Sequence, residues 1–377
     1  MKKKILFFGI KTFPSKGGTD RVAENLLRRL QHDFDLTLFC LKDENWSEHP
    51  TNVQIIRFDP ILKGGFGSLI YFLRSTIKAL SMDVDLIHVH KTECAFFIPF
   101  LMLRHKVMAT SHEAPYRRDK WNFLEKTYFR LAEPIFMYWP NLVTCISEPL
   151  TNTYKKRYHR EVLYLPNGIN ILTSKFYDFE SAQSALKGRA SLEKPFILFG
   201  ARRLMATKGC HTFLKAMRNI SYQGQIFVAG EINDHTAYID ELFNLARGLD
   251  VHFIGFIHPI ETMLALLSKC QLFIFPSETE GMSIMLLEAA STGVPIIASD
   301  IPENKIFKER ELLFFKNKSV EDLAEKISYA LKNPDEMRIR GERTQQAAAD
   351  RYSWEWIAQE YKELYLQLSA PKAVRFQ

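Results

Sequence analysis

The sequence lacks several features that would point to whole classes of protein. Its five cysteines are odd in number, and no two of them form a C-x-x-C pair. A disulfide framework and a structural zinc site are therefore disfavoured, and we expect buried free thiols in a reducing compartment. No repeat with a period of about 20–50 residues is found, which argues against a solenoid or a propeller. Without a helix-turn-helix, zinc-finger or RNP pattern, we expect no nucleic-acid partner.

Long apolar runs are also missing. The most apolar stretch away from the N-terminus, Cys94 to Leu103, is far shorter than the roughly 20 residues of a membrane-spanning helix. At the N-terminus three lysines precede Ile5–Ile10, a run shorter than the roughly 7–15 apolar residues of a signal peptide. These features predict a cytoplasmic protein without a membrane span.

Positive charge is in excess and is unevenly spread. The formal net charge is +7, and residues 104–160 contain eleven Lys or Arg against five Asp or Glu. Such an excess of positive charge can bind an anionic membrane surface or a phosphorylated substrate. The alternative is a solvated basic face without a binding role.

The fold class follows from an alternation of short strands and amphipathic helices. Runs such as I-L-F-F-G and L-I-H-V-H are apolar on both faces, as strands buried in a parallel sheet must be. The alternation starts again after residue 195, which predicts an α/β protein with two tandem Rossmann-like domains facing a central cleft. We expect an N-terminal domain (1–170), a linker (171–194), a C-terminal domain (195–351) and a terminal helix (352–377) that packs back toward the first domain.

Two cations lie where the first strand of the second half is predicted to turn into a helix. Arg203 and Lys208 are five residues apart, and Gly209 follows them. At a helix N-terminus such a pair would neutralise a diphosphate leaving group without a metal ion. Arg202 is an alternative to Arg203, and plain surface charge is the alternative interpretation of both.

The most specific pattern lies in residues 276–288. Glu280 and Glu288 are separated by seven residues across a loop that leads into a predicted helix. We expect Glu280 at the end of a strand and Glu288 inside the helix, where it could bond a ribose. The amides around the start of this helix are placed to bind a phosphate. The residues that would contribute them are Gly281, Met282, Ser283 and Ile284.

Two positions of the first half are candidates for the same cleft. Gly17 and Gly18 separate the first strand from the first helix, where glycines let a ligand approach the backbone. Their spacing matches neither a dinucleotide fingerprint nor a P-loop. His112 follows a predicted strand and can hydrogen-bond a sugar hydroxyl, with a structural histidine as the alternative.

Together these segments resemble the retaining glycosyltransferases of family 4, which have the GT-B fold. The resemblance runs from the glycine loop, through the two cations and the paired glutamates, to Tyr352–Trp354. The stretch from His112 to Pro166-Asn167-Gly168-Ile169 is similar to bacterial members that build surface polysaccharides, including rhamnosyltransferase-like ones. The sequence departs from them at Glu113, where many members have glycine.

The resemblance implies that the C-terminal domain binds a nucleotide-diphosphate sugar as the donor and that the N-terminal domain binds the acceptor. Arg203 and Lys208 would hold the diphosphate with the amides of residues 281–284, and Gly18 would approach it from the other domain. Glu288 would bind the ribose. No cofactor is implied, and UDP, GDP and dTDP donors all remain open.

The resemblance also implies the catalytic set. Glu280 would contact the donor sugar and His112 would orient it near the anomeric carbon, while the two cations stabilise the leaving group. The anomeric configuration would be retained. The acceptor, a saccharide or a lipid-linked saccharide, is expected to contact Gly17, Glu113 and Arg117. A lipid-linked acceptor would bring the protein to the inner face of the cell membrane, where the basic excess can contact anionic lipid.

A metal site is not expected. Asp83-Val84-Asp85 matches the D-x-D that holds a metal in another glycosyltransferase fold. A metal-binding pair belongs at the carboxyl end of a strand, whereas this pair precedes the predicted strand Leu86–His90. We interpret it as a turn.

Two other functions remain open. A nucleotide-sugar 2-epimerase has the same architecture but would require more acids and histidines for proton transfer. A non-catalytic nucleotide-sugar-binding protein is disfavoured by the complete set of Arg203, Lys208, Glu280 and Glu288. Turnover would distinguish it from an enzyme.

Overall fold

The chain divides into two compact units. A computed structural model describes residues 2–15, 18–42, 52–62, 64–117, 122–171, 174–188, 190–232 and 236–370. Unit 1 comprises Met1–Asn167 together with Trp354–Gln377, and unit 2 comprises Gly168–Ser353. Each unit is built from parallel strands joined by helices.

The elements alternate along the chain as the sequence pattern predicts. The strands are Lys4–Phe8 (β1), Asp35–Leu41 (β2), Gln54–Phe58 (β3), Leu86–Val89 (β4), Lys106–Ser111 (β5), Leu142–Cys145 (β6), Leu163–Tyr164 (β7), Phe196–Arg203 (β8), Gln225–Glu231 (β9), Val251–Gly255 (β10), Leu272–Phe275 (β11), Ile296–Ser299 (β12) and Leu313–Phe315 (β13). The helices are Gly18–Leu30 (α1), Gly64–Leu80 (α2), Ile98–Leu101 (α3), Phe123–Tyr138 (α4), Glu148–Tyr158 (α5), Phe179–Ala185 (α6), Cys210–Asn219 (α7), Ala237–Ala246 (α8), Ile260–Lys269 (α9), Ile284–Thr292 (α10), Val320–Lys332 (α11), Pro334–Tyr352 (α12) and Trp354–Ser369 (α13). The 3-10 turns are Thr92–Phe97, Pro115–Arg117, Ser174–Phe176, Ala206–Lys208 and Pro302–Asn304.

Each unit has one parallel sheet whose strand order reverses near its centre. Within the described residues the order is β3-β2-β1-β4-β5-β6-β7 in unit 1 and β10-β9-β8-β11-β12-β13 in unit 2. The order reverses beside β1 and beside β8, and ligands of open α/β sheets bind at the carboxyl ends of the strands at such points. The predicted doubly wound fold is confirmed.

Helices cover both faces of the unit 1 sheet. Phe7 packs toward the face covered by α1 and α13, and Phe8 toward the face covered by α2, α3, α4 and α5. Both side chains are completely buried. Because consecutive residues of a strand point to opposite faces, a sheet covered on both sides requires the uninterrupted apolar runs seen in the sequence.

The terminal aromatic residues divide between the two units. Trp354, Tyr361 and Tyr365 are buried in the core of unit 1, as expected for a helix that returns to the first domain. Trp356 is exposed, and Tyr352 belongs to unit 2. The expected terminal helix (352–377) therefore begins at Trp354 rather than at Tyr352, and residues 371–377 lie outside the described residues.

Part of the stretch interpreted as a linker, residues 171–194, is folded into unit 2. It contains α6, whose N-cap Asp178 accepts a hydrogen bond from Ser181 N at 2.9 Å. Asp178 N also donates to Glu261 O at 3.2 Å, which joins this stretch to α9. The stretch is polar, which suggested a linker, because α6 buries Ala182 and exposes most of its other side chains.

Two expectations from composition can be compared with the structure. All five cysteines are buried and free, as predicted. In the part of the chain that the structure describes, no helix combines the length and the apolar character needed to cross a membrane.

The acids of the D-x-D motif pair with lysines at the amino edge of the unit 1 sheet. Asp85 contacts Lys3 Nζ at 3.1 Å and accepts from Lys4 N at 2.8 Å. Asp83 contacts Lys4 Nζ at 2.7 Å. The predicted turn before a strand is confirmed, since β4 begins at Leu86.

Two buried histidines link strand β4 to the rest of unit 1. His88 is hydrogen-bonded through Nδ1 with the Tyr365 hydroxyl and through Nε2 with the Thr110 hydroxyl, both at 2.6 Å. Burial lowers the pKa values of His88 and His90 well below the usual value. Both are neutral in the folded protein, whereas in the unfolded chain they take up protons below about pH 6.5. Their contribution to stability is present above that pH and is lost as the pH falls.

We therefore expect unit 1 to lose stability on mild acidification. Between pH 6.5 and pH 5 the free energy of unfolding should fall by about 2 kcal/mol for each of the two histidines. All five tryptophans fall within the residue ranges of unit 1, so tryptophan fluorescence during urea denaturation follows that unit. His88→Gln should reduce the pH dependence by about a third, because His112 of the same unit also has a pKa lowered by burial, to about 3. His32→Gln, at an exposed position, is the control and should leave the pH dependence unchanged. A stability independent of pH between 7 and 5 would contradict the assignment.

Candidate functional site

The first cluster of predicted residues lies at the carboxyl end of β8. This strand is buried from Phe196 to Gly200, and Arg202 and Arg203 are exposed at its end. The turn Ala206–Lys208 follows and α7 begins directly afterwards. Both predicted cations are therefore at the point where the strand order of unit 2 reverses.

Gly209 determines how this turn packs. Its φ is +73°, and a Cβ at this position would lie 2.0 Å from Pro276 O. Pro276 follows β11 and leads into the loop of Glu280, so the two loops touch through their backbones. Glu278 N also donates to Thr207 O at 2.9 Å. Only glycine satisfies both the backbone conformation and the close approach.

The two loops bring together two of the residues predicted from the sequence. Lys208 Nζ lies 2.6 Å from Glu280 Oε1. The Lys208 side chain is 28% exposed and that of Glu280 is 10% exposed, so water screens this pair less than an ordinary surface pair. The sequence pattern identified both residues but not their contact.

Arg203 has a partner that the sequence analysis did not identify. Its Nε lies 3.5 Å from Glu231 Oε2, and both side chains are largely exposed. A register shift after Gly200 places Arg203 opposite Glu231 on β9. The available signal was the position of Glu231 after Gly230, at the end of a buried strand.

The helix that follows Glu280 has the predicted form. The helix α10 begins at Ile284, and Ser283 Oγ caps it by accepting from Leu286 N at 3.3 Å. The hydroxyl proton of Ser283 is still able to donate, and the first amides of any helix have no carbonyl partner within it. Glu288 is buried within α10, and Glu280 precedes it in the loop. Their positions are confirmed, and their roles remain predictions.

A further carboxylate in the same loop connects it to the end of β13. Glu278 Oε2 lies 2.9 Å from Lys318 Nζ, and its Oε1 lies 3.6 Å from His211 Nε2. Asn317 Nδ2 donates to Glu278 O at 3.3 Å. Burial lowers the pKa of His211 despite the nearby carboxylate, so this histidine is mainly neutral at pH 7. Glu278 was not predicted as a site residue, because nothing in the neighbouring sequence distinguishes it from Glu280.

In unit 1, His112 lies at the carboxyl end of β5 and contacts another histidine. Its Nε2 is 3.3 Å from His90 Nδ1. The surrounding protein and the Lys91 ammonium lower the pKa of His112 to about 3, against the opposite effect of Asp20. At pH 7 His112 is therefore a neutral hydrogen-bonding group rather than an acid. The signal for His90 was the alternation in L-I-H-V-H, which places His88 and His90 on one face of the strand.

A buried ion pair lies close to the start of α1. Asp20 accepts from Lys91 Nζ at 3.0 Å and from Thr12 Oγ1 at 2.6 Å. Gly18 is the first residue of this helix, and among the described residues a Cβ there would meet nothing within 4 Å. The fold itself therefore does not require glycine at this position, and protein atoms leave room for the predicted approach of a ligand.

The predicted acceptor contacts are the least defined part of the site. Gly17 and residues 118–121 lie outside the described residues. Arg117 ends the turn Pro115–Arg117. Glu113 is half-buried, and its carbonyl oxygen accepts from Ser111 Oγ at 3.2 Å. All three assignments remain predictions.

The architecture is that of the GT-B class, which is shared by solved structures over nearly the whole chain. Sucrose-phosphate synthase from Thermosynechococcus elongatus has a TM-score of 0.81 at 21% identity, over 97% of this chain and 99% of that one. HepE from Anabaena, in complex with UDP and glucose, has a TM-score of 0.78 at 18% identity, over 97% of this chain and 100% of that one. At these identities the similarity establishes the fold.

Family models then identify both halves of the chain. Residues 16–171 match Glycosyltransferase Family 4, and residues 183–347 match Glycosyl transferases group 1. Together the two matches cover most of the chain, which therefore belongs to the glycosyltransferases of the group 1 and family 4 type.

Curated relatives include enzymes of glycan biosynthesis. The N,N'-diacetylbacillosaminyl-diphospho-undecaprenol alpha-1,3-N-acetylgalactosaminyltransferase of Campylobacter jejuni is 30% identical over 46% of this chain and 45% of that protein. The O-antigen biosynthesis glycosyltransferase WclY of Escherichia coli is 28% identical over 34% of this chain and 35% of that protein. Each match spans less than half of the relative. Alpha-maltose-1-phosphate synthase of Mycolicibacterium smegmatis is 22% identical over 94% of this chain and 96% of that protein.

The contact at Gly209 leads to a stability prediction. Gly209→Ala should destabilise unit 2 by more than about 2 kcal/mol, because it combines a left-handed backbone with a clash against Pro276 O. Gly248→Ala is the matched control, since Gly248 has a φ of +84° but nothing within 4 Å of its Cβ position. It should cost only about 1 kcal/mol, from backbone strain. Thermal unfolding followed by circular dichroism measures both. Equal losses would show that the Pro276 contact does not hold the loops.

Proposed function

We propose that this chain is a glycosyltransferase that moves a sugar from a nucleotide-diphosphate donor to a saccharide or a lipid-linked saccharide, with retention of configuration. The observation that carries the proposal is the Lys208–Glu280 ion pair. It joins the turn that carries Lys208, which follows Arg203 at the end of β8, to the loop that leads into helix α10. Positive charge and helix amides are the groups that bind a diphosphate.

Donor binding would exchange partners within this pair. The diphosphate carries more negative charge than the carboxylate of Glu280, and it would take over Lys208. Glu280 would then be released to accept hydrogen bonds from the hydroxyls of the donor sugar. Arg203 would leave Glu231 for the same diphosphate, an exchange made easier by the exposure of that pair.

The reaction then consists of one bond made and one bond broken at the anomeric carbon. As the bond to the diphosphate oxygen breaks, negative charge grows on that oxygen, and Lys208 and Arg203 stabilise it. The acceptor hydroxyl attacks from the same face, which retains the configuration, and its proton passes to the departing diphosphate. We expect His112 to orient the sugar as a neutral group. With two cations in this role, we expect no essential metal ion.

The donor is proposed to be a UDP-sugar in the first instance. HepE was solved with UDP-glucose, and the Campylobacter relative is named as an N-acetylgalactosaminyltransferase. GDP-sugars and dTDP-sugars, including dTDP-rhamnose, remain in the proposal as further donors.

The acceptor is proposed to be a lipid-linked saccharide of bacterial glycan or polysaccharide synthesis. The names of two relatives support this, one containing diphospho-undecaprenol and the other O-antigen biosynthesis. Such an acceptor would place the protein in the cytoplasm, peripherally on the inner face of the membrane. The free thiols are compatible with that compartment.

The alternative enzyme, a 2-epimerase, is less well supported. It would move protons to and from carbon, which requires groups with pKa values near neutrality. The pKa of His112 is lowered to about 3, which makes it a weak base at pH 7. A non-catalytic binding protein would bind a donor without forming product.

The donor site can be tested with a panel of nucleotide sugars. We expect one donor to stabilise the wild-type protein by about 2.7 kcal/mol at a hundred times its dissociation constant, measured by thermal unfolding. Lys208→Ala should abolish this shift. Lys215→Ala is the matched control, because Lys215 lies in the same unit and pairs with Glu241 at 3.1 Å.

Turnover completes this test. Product formed with a lipid-linked or a soluble saccharide acceptor should show retention by NMR. Inversion, binding without turnover, or a melting curve unmoved by every donor would each contradict the proposed function.

The partner exchange at Lys208 makes a separate prediction. Glu280→Gln should bind the bare nucleoside diphosphate about fivefold more tightly than wild type, because the competing carboxylate charge is gone. The same variant should transfer sugar more slowly. Isothermal titration calorimetry with UDP, GDP and dTDP measures the affinities. Weaker binding by Glu280→Gln would show that Glu280 positions Lys208 for the diphosphate rather than competing for it.

A further inference from the structure

Helix α2 presents apolar side chains to solvent along its whole length. Phe66, Leu69, Leu73 and Ile77 are exposed, and Phe66 is 77% exposed. Their spacing of three to four residues forms one stripe along the helix. On the opposite side the helix buries Ser75 and Thr76 together with apolar residues. Single exposed apolar residues are common on protein surfaces, whereas an ordered stripe of four along one helix is typical of an interaction surface.

Neighbouring helices on the same face of the sheet also expose apolar side chains. The turn Thr92–Phe97 packs against both α2 and α4, and α3 packs against α2 and this turn. Tyr128 of α4 donates to Glu93 O at 2.6 Å. Arg104 donates to Leu80 O at the end of α2, also at 2.6 Å. The exposed apolar residues carried by α3, α4 and the turn after α3 are Phe100, Leu103, Phe123, Leu124 and Leu131. These side chains and the stripe on α2 belong to helices that cover the same face of the sheet, and we name them together the apolar face.

Cations accompany the apolar face. The sequence of α2 contains Arg74 and Lys78 and no Asp or Glu. Arg104 follows α3, and Arg130 is exposed on α4 beside Leu131. Apolar side chains with interspersed Lys and Arg are the composition of surfaces that bind the headgroup region of an anionic bilayer.

We propose that the apolar face docks unit 1 onto an anionic phospholipid surface. The exposed side chains of α2, α3 and α4 insert among the acyl chains, and the cations contact the lipid phosphates. This inference deepens the proposed function, because it rests on the proposed lipid-linked acceptor and names the surface that reaches it. It does not depend on which donor is used.

Charge decides between a bilayer and a second copy of the chain. A symmetric dimer through this face would set Arg74, Lys78, Arg104 and Arg130 against the same four cations of its partner. Like charges in a buried interface are costly, whereas anionic lipid complements them.

The experiment is sedimentation of the full chain with phosphatidylcholine vesicles, with and without phosphatidylglycerol. We expect binding to the anionic vesicles at low salt and at least tenfold weaker binding to the neutral ones. High salt should weaken binding to anionic vesicles without abolishing it, because salt screens the contacts of the cations but not those of the apolar side chains. Leu73→Ser should weaken binding several-fold, and Leu73→Ser with Leu131→Ser about tenfold or more.

Two control variants match these changes. Leu366→Ser removes a side chain that is 49% exposed, compared with 50% for Leu73, but Leu366 belongs to α13 on the opposite face of the sheet. It should leave vesicle binding unchanged. Lys78→Glu should reduce the preference for anionic vesicles, whereas Arg218→Glu on α7 of unit 2 should not.

Two results would overturn the inference. One is wild-type protein that stays in the supernatant with anionic vesicles at low salt. The other is a dimer in size-exclusion chromatography that Leu73→Ser converts to a monomer, which would assign the face to a protein interface. Donor-induced stabilisation and transfer to a soluble acceptor are measured on the same variants and should match wild type. Vesicle binding without any donor binding would contradict the proposed function and leave this inference standing.

Discussion

The close approach of Gly209 to the carbonyl of Pro276 is the contact on which the candidate donor site depends. Lys208 directly precedes the glycine, and Glu280 follows the proline by four residues. The backbone hydrogen bond between Glu278 and Thr207 closes the same junction. Because the two loops meet through main-chain atoms, the backbone itself brings the side chains of Lys208 and Glu280 together. The partner exchange proposed for donor binding rests on this arrangement.

The fold was largely predictable because its signal is local. Uninterrupted apolar runs predict buried parallel strands, and residues such as Phe7 and Phe8 fill opposite faces of one sheet. Helix α4 was not predicted, although Asn122 and Glu125 form a capping box at its start. Pro134 lies inside it and exposed apolar side chains lie along it, which together obscure the amphipathic period. The exposed apolar side chains that obscured this helix in the sequence are the same ones on which the proposed docking surface rests.

The candidate site was predictable only at its strand-to-helix turns. Arg203, Lys208, Glu280 and Glu288 all lie close to such turns, where a short pattern carries the signal. Their partners depend on strand order and register, which no short segment encodes. Glu231 reaches Arg203 through a register shift between β8 and β9, and Lys318 reaches Glu278 from the far edge of the sheet. The sequence around Arg203 and Glu278 contains no pattern that predicts these two contacts.

The chain leaves unit 1 after Asn167 and returns to it only at Trp354. A ribosome therefore finishes every residue of unit 2 before it makes the helix that completes unit 1. Until α13 emerges, α1 alone covers this face of the sheet, and His88 lacks its Tyr365 partner. The first domain to be translated is the last that can close, and the nascent chain must keep an incomplete sheet from aggregating while the second domain is synthesised.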